Sequence, residues 1–80
     1  MTTQTQTPEK TGMLSISGGV KSQKTALAIK AGLEDVPGVH GVELTAEGAR
    51  IRFNPDIANE QKFYEAVKIV GYHGSTFREE

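Results

Sequence analysis

The order of its hydrophobic patterns is the feature that most limits how this chain can fold. Apolar residues at every second position predict half-buried strands, and apolar residues at three- and four-residue steps predict amphipathic helices. Along the 80 residues these patterns follow one another as strand, helix, strand, strand, helix, strand. The order predicts an α+β domain in which two helices cover one face of a sheet.

A glycine pair separates the first strand from the first helix. Leu14 and Ile16 alternate with more exposed positions, which predicts a strand over residues 13–17. Gly18-Gly19 ends this strand, and either Lys21 or Ser22 begins a helix. The apolar stripe of that helix consists of Ala26, Ile29, Leu33 and Val36, and Pro37-Gly38 ends it.

The second half of the chain repeats the pattern with a hairpin in front. Val39, Val42 and Leu44 predict a second strand, and the odd spacing between the first two predicts an irregularity near His40-Gly41. The remaining predicted features are a third strand with Ala49, Ile51 and Phe53 on one side and Arg50 and Arg52 on the other, a helix over residues 60–70 capped by Asn59, and a last strand over residues 72–77. The whole is a ferredoxin-like βαββαβ sandwich with a four-stranded antiparallel sheet.

The chain also resembles a known family, the heavy-metal-associated (copper-chaperone) domains. Residues 16–39 read ISGGVKSQKTALAIKAGLEDVPGV, which resembles the family's opening I-x-G-M-x-C-x-x-C-x-x-x-I-x-x-x-L-x-x-x-P-G-V. Residues 51–55 are similar to the family's V-x-V-x-Y-D-P, and Gly71-Tyr72 is similar to its G-Y. The two metal-binding cysteines of the family are replaced here by Ser22 and Thr25.

The resemblance implies a metal-binding scaffold whose thiolate ligands are absent. The chain has no cysteine, and neutral hydroxyls do not replace thiolates as ligands of Cu(I) or Zn(II). We therefore expect no resident cofactor, with Ser22 as the helix N-cap and Thr25 supporting it. His73 is a weak candidate for a non-thiol metal site, since the fold places it beside the loop before the first helix. His40 is expected at the opposite end, so a site using both histidines would be shared between chains.

A third interpretation is anion binding at the same loop, because residues 18–25 form a glycine-rich turn before a helix N-terminus with Lys21 and Lys24 beside it. It is not a nucleotide-binding loop, since Gln23 stands where a second glycine is needed. No arginine precedes Arg50, so the loop lacks the residue that acylphosphatases of this topology use. The sequence favours a non-enzymatic protein. The predicted outer sheet face has no aromatic residue for stacking on RNA, which argues against a nucleic-acid partner.

Composition and charge set the remaining expectations. The net charge is −1, and no apolar run reaches the ~20 residues needed to cross a bilayer. The first residues do not resemble a secretory signal, so the cytoplasm is the default location. Residues 13–77 are predicted as the domain, between a disordered tail at 1–12 and a C-terminal tail at 78–80.

The sequence thus predicts a small binding module that recognises a protein partner. A metal-transporting ATPase and other metal-handling proteins are the candidate partners, and the chain is expected to be a monomer or a weak dimer. Lysines at four positions between residues 10 and 33, with no acid among them, predict a positive end of the molecule. The predicted docking loop consists of Gly18, Gly19, Val20, Lys21, Ser22 and Lys24.

Overall fold

The computed structural model describes residues 8–80, which form six secondary-structure elements. These are β1 (Lys10–Ile16), α1 (Gln23–Glu34), β2 (Val39–Leu44), β3 (Gly48–Phe53), α2 (Glu60–Ile69) and β4 (Gly74–Glu79). The strands form one antiparallel sheet in the order β2-β3-β1-β4. The predicted ferredoxin-like βαββαβ fold is therefore confirmed. None of the helices in residues 8–80 is long and apolar enough to cross a membrane.

Both helices pack on the same side of the sheet, and the alternation of apolar residues decides which side that is. The buried core consists of Leu14, Ile16, Ala49, Ile51 and Phe53 from the sheet, Ile29, Leu33 and Val36 from α1 and the turn after it, and Ala58, Phe63, Ala66 and Val67 from α2 and its approach. The residues between them on β1 and β3 point the other way, and no helix or strand of residues 8–80 covers that second face, which we call the open face.

Helix starts follow the predicted caps. Ser22 and Asn59 both have extended backbone geometry, and each side chain accepts a hydrogen bond from the amide three residues on. Such caps satisfy amides that the helix itself leaves without a partner. The predicted irregularity in β2 is also present, since the register with β3 shifts between Val39 and Gly41.

The ends of the outer segments differ from the prediction. β1 begins at Lys10, three residues before the predicted start, because its backbone continues to pair with β3 from Ile51 to Phe53 although the side chains there carry no apolar alternation. Residues 1–7 of the predicted tail lie outside the described residues.

The last strand is also shifted from its predicted position at residues 72–77. β4 begins only at Gly74, since Gly71 has a φ of 96° and turns the chain between α2 and the strand. It then continues to Glu79, and Arg78 and Glu79 pair with Met13 and Gly12 of β1. Two of the three residues assigned to the predicted C-terminal tail are thus part of the sheet.

Candidate functional site

The loop between β1 and α1 is tied to the rest of the sheet at both ends. Gly18 and Gly19 have φ values of 83° and 74°, a left-handed conformation that favours glycine. The amide of Gly19 donates to the carbonyl of Ile16 at 2.8 Å, and the amide of Val20 donates to the carbonyl of Ala46 at 2.9 Å. Val20 also packs against the core. The loop is therefore a fixed platform at the start of α1.

Three hydroxyls converge at this platform, and we call them the hydroxyl network. Ser22 Oγ accepts from the amide of Thr25 at 3.1 Å and donates to Thr25 Oγ1 at 3.0 Å. Thr25 Oγ1 also shares a hydrogen bond of 3.1 Å with the hydroxyl of Tyr72, which comes from the loop before β4. The hydroxyl oxygens at the two positions where the resemblance puts cysteines are thus hydrogen-bonded to each other, and the Tyr72 hydroxyl is hydrogen-bonded to one of them.

The cap role of Ser22 was predicted from the sequence, whereas the part played by Tyr72 was not. Tyr72 is separated from Thr25 by 47 residues, so no local pattern connects them. The sequence signal for Tyr72 is its match, with Gly71, to the family's G-Y. That match does not indicate which residue the tyrosine contacts. Because all three hydroxyls have partners within the network, the site needs no metal ion to satisfy its polar atoms.

The two histidines lie at opposite ends of the sheet. The backbone carbonyl of His73 accepts from the amide of Ser17 at 2.7 Å, which confirms that this residue neighbours the loop. His40 lies at the start of β2 and places Nδ1 2.8 Å from Glu9 Oε1, just before β1. Within residues 8–80, no three His, Cys, Asp or Glu side chains come together as a metal-binding group. A metal site at His73, including one shared between chains, therefore stays a prediction.

The amides of the loop are only partly engaged within the protein. Those of Gly19, Val20 and Thr25 already donate within the protein, as does that of Ala26, which donates to the carbonyl of Ser22 at 3.0 Å. The other five amides of residues 18–25 have no acceptor within residues 8–80, so anion binding at this loop stays a prediction.

The exposed side of α1 presents a leucine among lysines. Leu27 is 59% exposed and lies three residues from both Lys24 and Lys30, a spacing that places all three side chains along one helical surface. Lys21, just before the helix, is also exposed. We call these four residues the α1 surface. Within residues 8–80 none of its lysines forms an ion pair.

Leu27 was missed in the sequence analysis because it lies outside the apolar stripe that packs on the sheet. An apolar residue on the polar side of an amphipathic helix is the signal that could have identified it. Exposed leucines are common, but this one lies between Lys24 and Lys30, and neither lysine forms an ion pair with another of residues 8–80.

Comparison with known structures gives several similar folds. Oxidized MerP from Ralstonia metallidurans CH34 is similar with a TM-score of 0.73 and 28% identity, over 84% of this chain and 94% of MerP. A copper binding domain from HMA7, a P-type ATPase, has a TM-score of 0.73 and 19% identity, over 90% and 96% of the two chains.

A third similar structure is the Cu(I)-loaded N-terminal domain of a potential copper-translocating P-type ATPase from Bacillus subtilis. Its TM-score is 0.70 at 22% identity, over 89% of this chain and 86% of that one. No family model matches the sequence, and no curated protein matches it significantly. The similarity is therefore clearer in the fold than in the sequence.

Proposed function

We propose that this heavy-metal-associated-like domain, whose chain has no cysteine, is a non-enzymatic module that binds a metal-handling protein without carrying the metal itself. The observation that carries the proposal is the hydroxyl network. Ser22, Thr25 and Tyr72 satisfy one another where a thiolate site would otherwise be, while the loop around them keeps its fixed backbone. The loop backbone that would present metal ligands in this fold is formed, although hydroxyls stand at the positions where the resemblance puts thiolates.

The chemistry of the α1 surface supports protein recognition. Leu27 supplies an apolar contact at its centre, and Lys21, Lys24 and Lys30 supply positive charge around it. Interfaces commonly combine a buried apolar centre with a polar, charged rim. A partner with a small apolar depression bordered by carboxylates would complement this surface in both respects.

The proposed role is binding and not catalysis. The Ser22 and Thr25 hydroxyls make their side-chain hydrogen bonds within the network, and in residues 8–80 neither contacts an imidazole or carboxylate that could activate it. The similar structures that are copper-binding domains of P-type ATPases support a partner of that class. We propose a metal-transporting ATPase or another metal-handling protein in the cytoplasm as the partner.

Reversing the charge of the α1 surface tests this proposal. We expect Lys21→Glu/Lys24→Glu to slow association with the metal-binding domain of an ATPase from the same organism by roughly tenfold at low salt. Because both positions are exposed, the free energy of unfolding should change by less than about 0.5 kcal/mol. Stopped-flow association kinetics would give the rates, and the difference should shrink at high salt because surface charges are then screened.

The matched control is Lys62→Glu/Lys68→Glu, which changes the net charge equally but on exposed positions of α2. It should slow association much less. An association rate that responds to neither the α1 substitutions nor the salt concentration would contradict the proposal.

A further inference from the structure

The open face of the sheet carries the arginines of the chain but not its lysines. The chain has nine basic residues, of which three are arginines, and Arg50, Arg52 and Arg78 all lie on this face. Its six lysines lie on the helices, in the loop before α1 or on the core side of β1. Arginine is the basic residue enriched at protein interfaces, since its planar group binds carboxylates through two parallel hydrogen bonds. The open face therefore has the composition of a contact surface.

One residue from each strand forms a row across the middle of this face. In the sheet order β2-β3-β1-β4 the row reads Glu43, Arg50, Met13, Arg78, because Glu43 pairs with Arg50, Arg50 with Met13, and Met13 with Arg78. We call it the central row, since Met13 is the middle residue of β1. The rest of this face carries the small side chains of Thr11, Ser15 and Thr76 and two further long ones, Arg52 and Glu80.

The charged side chains at the two ends of the central row, Glu43 and Arg78, make few ion pairs with other residues of 8–80. Arg50 is engaged, with its guanidinium 3.1 Å from the carboxylate of Glu80 and 3.9 Å from that of Glu43. The side chain of Glu43 is nevertheless 73% exposed, and Arg78 has no ion pair among residues 8–80. One end is thus an exposed anion and the other an exposed cation.

This arrangement is self-complementary. Consider two copies with their open faces together and a two-fold axis parallel to the strands between them. The axis places β2 of one copy over β4 of the other and β3 over β1, because those strands occupy mirrored places in the sheet order. Glu43 then faces Arg78 of the second copy, twice, and Met13 faces the hydrocarbon stem of Arg50, twice.

We propose that the open sheet face is the interface of a weak homodimer held by reciprocal Glu43–Arg78 pairs around Met13. An acidic partner would satisfy Arg78 but would leave Glu43 facing a like charge, so a second copy of this chain is the occupant that fits both ends. The α1 surface lies on the opposite side of the sheet and stays accessible in the dimer.

The interface is small, which limits its strength. Four strands spaced ~4.8 Å apart and about six residues long cover roughly 400 Å² per copy, or roughly 800 Å² in total. Stable interfaces bury more than this, and exposed ion pairs contribute little each. The dimer should therefore form only at high micromolar to millimolar concentration and low salt.

A charge exchange between the two positions is the test. In sedimentation equilibrium at low salt, the purified full chain should rise from the mass of one chain toward twice that mass as its concentration increases. Glu43→Arg and Arg78→Glu should each weaken dimerisation at least ~tenfold, because each places like charges together. The double variant Glu43→Arg/Arg78→Glu restores opposite charges and should restore dimerisation.

Two substitutions on exposed positions of α2 serve as matched controls. Glu65→Arg changes the net charge as Glu43→Arg does, and Lys62→Glu changes it as Arg78→Glu does, so both should dimerise normally. A chain that stays monomeric at millimolar concentration would overturn the proposal, as would association that survives both single variants. So would a double variant that stays monomeric. A monomer whose Arg78 side-chain NMR signal shifts with added poly-glutamate would instead assign the face to an acidic partner.

Discussion

The variant Ser22→Cys/Thr25→Cys should bind one Cu(I) ion with sub-nanomolar affinity. The two side chains already converge, since Ser22 Oγ and Thr25 Oγ1 lie 3.0 Å apart at a loop fixed by backbone hydrogen bonds. Thiolates are the ligands that Cu(I) prefers, and the N-terminus of α1 favours the thiolate form of a cysteine placed there. Competition against a chromophoric Cu(I) chelator would measure the affinity.

The single variants are the controls for this gain. Ser22→Cys and Thr25→Cys each supply one thiolate, so neither should compete with the chelator. Loss of the Ser22 cap should cost the metal-free double variant about 1 kcal/mol of stability, which urea unfolding would detect. A folded double variant that releases Cu(I) as readily as its single parents would mean that these positions do not correspond to the cysteines of heavy-metal-associated domains.

The second large effect is expected in the core. Phe63 is fully buried under α2, with its ring centroid 5.1 Å from that of Phe53 and 5.3 Å from that of Phe77. Phe63→Ala would remove one of the three rings of this aromatic cluster and leave a cavity between α2 and the sheet. We expect it to lower the free energy of unfolding by about 3–5 kcal/mol, measured by urea denaturation.

Ile69→Ala on the same helix is the matched control. Ile69 is 84% exposed, so its truncation should change the free energy of unfolding by less than about 0.5 kcal/mol. Since domains are stable by only ~5–15 kcal/mol in total, the loss expected for Phe63→Ala is a large fraction of the free energy of unfolding. A loss below about 1 kcal/mol would show that α2 does not lie across these rings.

The features that the sequence predicted correctly are those set by neighbouring residues. The caps at Ser22 and Asn59 depend on amides three positions away, and the core side of β3 depends on simple alternation. The bulge of β2 was visible as an odd spacing between Val39 and Val42. Such local rules were sufficient for the element order and hence for the fold.

Features that depend on distant residues were beyond those rules. β1 begins at Lys10 because β3 supplies backbone hydrogen-bond partners there. The side chains of residues 10–12 have no apolar alternation that would predict this pairing. The contact of Tyr72 with Thr25 and the alignment of Arg78 with Met13 depend on how β4 returns to the sheet. The sequence therefore located the loop and the hydroxyls of Ser22 and Thr25, and the structure added the hydroxyl of Tyr72 and the central row.

A Cu(I) competition titration of the unaltered chain tests directly whether the domain carries the metal itself. We expect the chromophoric chelator to keep its Cu(I), because hydroxyl oxygens stand at the two loop positions and, within residues 8–80, no three His, Cys, Asp or Glu side chains come together. Sub-nanomolar retention of Cu(I) by the monomeric chain would contradict this expectation, since that result would require a metal site that Ser22, Thr25 and Tyr72 do not provide.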